Sequence, residues 1–158
     1  MRRFTFWLGG GLIIAIGAIQ LVPYGRDHTN PSVTQEPAWD RPQTRVLAAR
    51  ACFDCHSNET VWPWYSNVAP MSWLIQRDVD EGRRKLNYSD WNRAQKEARG
   101  SAKSVTKGEM PPWFYALPGT SARLTPAERA TLIAGVGADI RLTADKRQSR
   151  SEEERRLT

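Results

Sequence analysis

The sequence predicts a mainly α-helical domain that follows an apolar N-terminal helix. Two observations support this fold class. Apolar side chains recur at three- and four-residue spacings in several segments after residue 44, which is the period of a helix packed on one face. No segment alternates between apolar and polar residues as a half-buried strand does. A chain of 158 residues is long enough for one such domain with shorter segments on either side.

Residues 1–22 predict a transmembrane anchor. Arg2 and Arg3 precede a run from Phe4 to Val22 that contains no formal charge. A helix of that length crosses a hydrocarbon core of about 30 Å, at about 1.5 Å per residue. The arginines predict a single pass through the cytoplasmic membrane, with the rest of the chain on the periplasmic, extracytoplasmic side. A cleaved signal peptide is the alternative, since it also begins with basic residues and continues with apolar ones.

Residues 23–43 are expected to form a flexible linker, because four prolines interrupt them and the residues between are largely polar. His28 lies in this segment and is interpreted as a solvated side chain rather than a metal ligand, since a mobile linker holds a metal bond poorly. The helical domain is predicted over residues 44–144. The charged tail at 145–158 is predicted to be disordered.

The sequence predicts four helices in the domain, at residues 45–50, at residues 72–85, from residue 89 onward and from residue 126 onward. Ser89 is a suitable N-cap for the third helix. The last helix has the clearest start, because Thr125 and Glu128 have the spacing of a capping box and Pro126 suits the first helical position.

Cys52, Cys55 and His56 form a C-x-x-C-H motif, the spacing of a c-type haem attachment site. The chain has two cysteines and two histidines, so the motif holds three of these four residues. Two thiols at this spacing can each add to one vinyl group of a single porphyrin, and the adjacent imidazole can then supply a nitrogen to the iron. The motif therefore predicts one covalent haem c attached to Cys52 and Cys55, with His56 as a metal ligand.

Two other chemistries use a C-x-x-C pair. One is a thioredoxin-type redox couple, which is typical of a βαβ pattern that this sequence lacks. The other is a zinc site, which needs four ligands, and the sequence contains no second cysteine and histidine cluster. Haem attachment is therefore the preferred interpretation.

Met110 is the predicted second iron ligand. Pro111 and Pro112 follow it, fix the backbone and prevent a continuing helix. A thioether on such a stiff loop is held in place, as an axial ligand should be. Met71, which follows Pro70, is the alternative ligand, and either methionine could instead fill a gap in the core.

The motifs resemble those of a known family. The most specific segments are Cys-Phe-Asp-Cys-His at 52–56, Trp-Pro-Trp-Tyr-Ser at 62–66 and Met-Pro-Pro at 110–112. They are similar to the bacterial haem-binding domain family of exported, c-type cytochrome-like proteins, and more broadly to small monohaem class I cytochromes c. The resemblance covers residues 44–140.

This resemblance implies a cytochrome c-like helical domain around one covalent haem. It also implies that Cys52 and Cys55 carry the haem and that His56 is an axial ligand. The chain departs from the family pattern after the Met-Pro loop, where Pro118 and Gly119 stand in place of a histidine.

The chain carries a formal net charge of +6 at pH 7, which favours an acidic partner or a membrane surface. No nucleic-acid motif accompanies the charge, so nucleic acid is not an expected partner. The basic stretch at Arg83, Arg84 and Lys85 could dock an acidic redox protein, but a solvated helix face is the preferred interpretation.

The predicted function is that of a membrane-anchored monohaem c-type cytochrome, which transfers single electrons and turns over no small-molecule substrate. The expected partner is a redox protein or a membrane respiratory or oxidoreductase complex. No constellation of catalytic acid, base or nucleophile accompanies the motif, so an enzyme is not the expected class. The alternatives are a haem-based sensor or ligand-binding module and a peroxidase-like enzyme with an open distal site.

Overall fold

The structure is a computed structural model that describes the backbone of residues 2–157 and the side chains of residues 7, 9–138, 152, 153, 155 and 156. Met1 and Thr158 lie outside the described residues. Within this part the chain forms the helices α1 (Arg2–Ile19), α2 (Pro42–Ala51), α3 (Phe53–His56), α4 (Met71–Lys85), α5 (Ala98–Lys107) and α6 (Pro126–Leu157), with a 3₁₀ turn at Trp64–Asn67. The described residues contain no strand, and an isolated parallel bridge joins Gln35 to Asp90. The predicted mainly α class is confirmed.

The core lies where α2, α5 and α6 meet the loop that follows α4. Its buried side chains come from all of these segments and from the first residue of α3: Leu47, Ala48, Phe53, Leu86, Tyr88, Trp91, Ala98, Val105, Leu132 and Val136. Aromatic rings form one end of this cluster, where Tyr88 stacks on Trp91 with ring centroids 5.8 Å apart. Burial of this apolar surface is the main force that holds the short helices together.

The crossing of α2 and α6 depends on Gly135. A Cβ atom added to Gly135 would overlap the side chain of Thr44, which is completely buried on α2. Gly137 lies two residues further along the same helix, and a Cβ atom there would meet nothing within 4 Å. The two glycines of α6 therefore differ in role, since only the first lies at the helix contact.

The predicted start of α6 is confirmed in atomic detail. The backbone N–H of Thr125 donates to Glu128 Oε2 at 2.8 Å, and the backbone N–H of Glu128 donates to Thr125 Oγ1 at 3.2 Å. Arg50 on α2 donates to the other oxygen of Glu128 at 2.6 Å. These hydrogen bonds lower the pKa of Glu128 from 4.5 to about 2, and the bond from the Thr125 N–H has the largest effect. The capping box thus also ties α6 to α2.

The predicted third helix begins later than expected. Ser89 does not cap it, because residues 89–91 pair with the segment before α2. The N–H groups of Thr34 and Gln35 both donate to the Ser89 carbonyl, and the Trp91 N–H donates to the Gln35 carbonyl at 2.9 Å. With these groups engaged elsewhere, the helix begins only at Ala98.

Residues 23–43 also differ from the expected flexible linker, since they lie against the domain. Arg83 donates to the Thr29 carbonyl at 3.0 Å and to Asn30 Oδ1 at 2.8 Å. The Trp39 ring packs against Tyr88 with centroids 5.3 Å apart. We call residues 29–39 the strap. Its prolines prevent a helix, and its polar groups bond to the domain instead of to water.

The chain's charged end is helical rather than disordered. Helix α6 continues to Leu157 through the segment 145–158 that the sequence predicts to be disordered. No glycine or proline follows Gly137, and the segment is rich in lysine, arginine, glutamine and glutamate, which are good helix formers.

The predicted membrane anchor is wrong. No helix within the described residues is both long and apolar enough to cross a membrane. Helix α1 ends at Ile19, three residues before the end of the uncharged run, and Arg2 and Arg3 are its first two residues. Its remaining sixteen residues rise about 24 Å at about 1.5 Å each, which is less than a hydrocarbon core of about 30 Å. The single-pass topology and the periplasmic placement that rested on the anchor are withdrawn with it.

Replacing Gly135 by alanine should lower the free energy of unfolding by about 1–3 kcal/mol, because the new methyl group overlaps Thr44 at a closely packed crossing. The matched change Gly137→Ala should instead raise it by about 0.5–1 kcal/mol, since alanine is the better helix former and the site is open. Urea unfolding followed by circular dichroism measures both. Equal effects of the two substitutions would contradict the assigned contact, and Thr44→Ala should partly rescue Gly135→Ala.

Candidate haem-binding site

The C-x-x-C-H motif forms a single helical turn directly after α2. The Cys52 N–H still donates to the Ala48 carbonyl of α2, at 2.8 Å. The Cys52 carbonyl then accepts from the N–H groups of both Cys55 and His56, at 3.2 and 2.9 Å. One carbonyl therefore organises the turn that carries all three predicted haem-binding side chains.

The imidazole of His56 is oriented by α4. Its Nδ1 lies 3.0 Å from the carbonyl oxygen of Leu86, the residue directly after α4. Because a carbonyl can only accept, Nδ1 carries the hydrogen and Nε2 keeps its lone pair. Burial lowers the pKa of His56, although the Leu86 carbonyl acts in the opposite direction, so the ring is neutral. A neutral imidazole fixed through Nδ1 suits iron coordination through Nε2.

Both cysteines carry free thiols. Burial raises the pKa of Cys52 and of Cys55 to about 12. A thioredoxin-type couple needs a reactive thiolate with a lowered pKa, so these thiols do not match that alternative. Among the described residues, no group of three histidine, cysteine or acidic side chains is placed to hold a metal ion, so the zinc alternative gains no support there.

Helix α4 packs with its backbone against the motif at Gly82. A Cβ atom on Gly82 would overlap the backbone carbonyl of Cys55. The next residue, Arg83, donates from Nε to the Ser57 carbonyl at 2.7 Å and from a terminal nitrogen to Thr60 Oγ1 at 2.9 Å. The last turn of α4 therefore supports the residues on both sides of His56.

Polar groups after the motif hold the turn to the strap and to the loop after α4. The Asn58 amide donates to the Ser32 carbonyl at 3.0 Å, and Asn58 Oδ1 accepts from Asn87 at 2.9 Å. The Ser66 hydroxyl donates to the Pro63 carbonyl. Asn58 and Ser66 thus bond to the protein itself, and both are buried.

Asp54, between the two cysteines, joins two further segments to the motif. Its Oδ1 accepts from the Val61 N–H at 2.9 Å, and its Oδ2 accepts from the Tyr115 hydroxyl at 2.5 Å. Burial, and then the bond to Asp54, raises the pKa of Tyr115, so the phenol keeps its hydrogen. Tyr115 was missed in the sequence, because its partner is 61 residues away and no spacing links them.

Large apolar side chains stay exposed in the two segments that Asp54 joins and at the start of α4. We call these side chains the apolar rim: Val61, Trp64, Tyr65, Val68, Met71, Leu74, Met110, Trp113, Phe114 and Leu117. Trp64 and Trp113 are each 79% exposed, an unusual state for tryptophan. Large apolar side chains left exposed in numbers are typical of a site for an apolar ligand. Two free thiols, an oriented imidazole and an apolar rim fit a haem.

Met110 follows the end of α5. Gly108 ends that helix in a left-handed conformation, with φ at 74°, and the N–H groups of Glu109 and Met110 both donate to the Ser104 carbonyl. Met71 is the first residue of α4. The two methionine side chains are similarly exposed, at 39% and 42%. Both stay candidates for the second iron ligand, with Met110 the predicted one.

His28 is held by the domain rather than solvated. Its ring stacks on Trp62 with centroids 4.5 Å apart, and its Nε2 lies 3.2 Å from the Ser66 carbonyl. Because the carbonyl accepts from the ring, Nε2 carries a hydrogen.

Comparison with known proteins identifies the family. A family model described as a haem-binding domain matches residues 14–138, which is most of the chain. The chain therefore belongs to the haem-binding domain family, and the predicted haem-binding character is confirmed. The match includes the strap, which the sequence-based domain boundary at residue 44 leaves out. No curated protein and no solved structure matches the chain.

Gly82→Ala should disturb the motif directly. The new methyl group overlaps the Cys55 backbone, which no side-chain rotation can relieve, so we expect a loss of about 1–3 kcal/mol in the free energy of unfolding. We also expect less haem per chain, measured as the haem-to-protein absorbance ratio. Gly100→Ala in α5 is the matched control, because its nearest neighbour would be the Glu97 carboxylate at an ordinary 3.6 Å. Unchanged haem content in Gly82→Ala would contradict the assigned contact.

Proposed function

We propose that this chain is a monohaem c-type cytochrome that transfers single electrons. Cys52 and Cys55 would hold the haem through thioether bonds, and His56 and Met110 would ligate its iron. When bound, the haem supplies an iron that alternates between the ferric and ferrous states. The membership in a haem-binding family supports the cofactor, and the C-x-x-C-H turn supports its covalent form.

The observation that carries the proposal is the contact between His56 and Leu86. The carbonyl at the end of α4 accepts the Nδ1 hydrogen at 3.0 Å, which leaves Nε2 as the donor nitrogen. Histidines that bind metals are commonly oriented in this way by a carbonyl or carboxylate, and the contact also raises their basicity. Two free thiols on the same turn make covalent attachment the chemistry that best uses all three side chains.

The surrounding residues would shield the cofactor from water. The apolar rim contains four aromatic side chains, which cover a flat apolar disc efficiently and exclude solvent. A drier site disfavours the extra charge of the ferric state and raises the reduction potential. If His56 and Met110 both hold the iron, they would leave no place on it for a substrate, and the haem would supply electron transfer rather than an enzymatic reaction.

A redox protein with an acidic surface is the partner we propose. Arg83 contributes little to such a docking surface, because its guanidinium is bonded to the protein, and Lys85 pairs with Glu81 at 2.7 Å. On α5, Arg99 and Lys103 are exposed and could steer an acidic partner.

Covalent attachment predicts a dependence on both thiols. Cys52→Ala and Cys55→Ala should each leave at most one thioether bond, and the double variant should leave none. Haem staining of denatured protein on a gel measures this, after expression of the full chain with a haem c maturation system. Stain that persists in the double variant, or no stain in the natural sequence, would contradict the proposal.

Met110→Ala should open the second axial position. The methionine-to-iron charge-transfer band of the oxidised protein should disappear, and the reduced protein should bind carbon monoxide readily. Optical spectra measure both, and Met71→Ala, with a similarly exposed methionine, is the matched control. A band lost in Met71→Ala instead would move the ligand to Met71. Rapid carbon monoxide binding by the natural sequence would favour the sensor or peroxidase alternative.

A further inference from the structure

We propose that the Tyr115–Asp54 hydrogen bond holds Met110 in place as the second iron ligand, which makes Tyr115 a positioning residue. This inference rests on the function proposed above. It starts from a contact between the Met-Pro loop and the C-x-x-C-H turn that is visible in the protein itself.

The contact joins the loop that carries Met110 to the C-x-x-C-H turn. The phenol donates to one oxygen of Asp54, and the other oxygen accepts from the Val61 N–H. Both oxygens of the carboxylate are therefore engaged, which fixes its orientation. Because Asp54 stands between Cys52 and Cys55, the phenol is tied directly to the turn that would carry the haem. A hydrogen bond to a charged acceptor is among the stronger ones in proteins.

The chain between Met110 and Tyr115 is stiff, so the Tyr115–Asp54 hydrogen bond also restricts the position of Met110. Pro111 and Pro112 restrict the backbone. Beyond them, the N–H groups of Tyr115 and Ala116 both donate to the Pro112 carbonyl at 3.0 Å, which closes a tight turn. Movement of the phenol would therefore be passed on to the prolines and to Met110.

The other end of the loop is anchored separately. The N–H groups of Glu109 and Met110 both donate to the Ser104 carbonyl of α5, at 3.0 and 3.3 Å. Met110 thus lies between two attachment points, one on α5 and one on Asp54. The α5 anchor fixes where the loop starts, and the phenol fixes how closely the loop lies against the turn.

The phenol stays a donor under ordinary conditions. Burial is the main cause that raises the pKa of Tyr115, and the bond to Asp54 adds to it. The hydroxyl keeps its hydrogen, so the contact is a permanent tether rather than a pH-dependent one.

Imidazole competition tests this role. Imidazole competes with methionine for ferric iron, so the affinity of the oxidised holoprotein for imidazole reports how firmly Met110 is held. Tyr115→Phe removes only the hydroxyl, and we expect imidazole affinity to rise roughly tenfold, as the loss of a hydrogen bond to a charged group implies. Tyr24→Phe is the control, because it removes a hydroxyl from an exposed phenol outside the C-x-x-C-H turn and the Met-Pro loop. It should leave the imidazole affinity unchanged.

A double substitution separates positioning from a general structural effect. In the Met110→Ala background, Tyr115→Phe should no longer change imidazole affinity, because the residue acts through Met110. A lower unfolding temperature in Tyr115→Phe with unchanged imidazole affinity would overturn the inference. The same rise in affinity with and without Met110 would also overturn it.

Further variants keep the inference separate from the proposed function. If Met110→Ala alone leaves imidazole affinity unchanged, the proposed ligand fails and the inference fails with it. If Met110→Ala raises the affinity and Tyr115→Phe does not, only the inference fails. Asp54→Asn keeps a neutral acceptor and should give a smaller rise, which serves as the test if Tyr115→Phe yields no holoprotein.

Discussion

The contact between the backbone of α4 and the backbone of the C-x-x-C-H turn is the constraint on which the site depends. Gly82 permits it, since any side chain there would occupy the position of the Cys55 carbonyl. This approach brings the Leu86 carbonyl to His56 and the Arg83 guanidinium to Ser57. Leu86 follows the last residue of α4, and a carbonyl that accepts from a histidine ring fixes its orientation and raises its basicity. The C-terminus of α4 is thus well suited to orient an imidazole and to keep it a strong electron donor.

Local signals in the sequence were sufficient for the helices whose ends are determined locally. The predicted second helix agrees with Met71–Lys85 to within one residue, and the capping box placed the start of α6 at Pro126. The C-x-x-C-H motif was found from spacing alone, because its three side chains share one turn. In each case the deciding contacts lie within a few residues of one another.

Features that depend on distant contacts could not be predicted in this way. Ser89 is a residue type that suits an N-cap, but its carbonyl accepts from Thr34, 55 positions earlier in the chain. Helix α1 ends where the Gln20 side chain bonds to both the N–H and the carbonyl of Ala69. The hydropathy of the sequence contains no information about this distant contact. The bond between Tyr115 and Asp54 belongs to the same class. Sequence reasoning therefore found the predicted haem-binding turn but not the groups that support it.

The strap has a consequence for where this protein can be shortened. A fragment that starts at residue 44 would retain the whole helical core and the complete C-x-x-C-H turn. It would nevertheless remove the Thr29, Asn30 and Ser32 acceptors, leaving part of the Arg83 guanidinium and the Asn58 amide without partners. Asn58 is buried, and a buried polar group left unpaired costs about 1–3 kcal/mol, whereas the lost Arg83 contacts are exposed and contribute less. The smallest autonomous unit of this protein accordingly begins before the strap, although none of the predicted haem-binding side chains lies there.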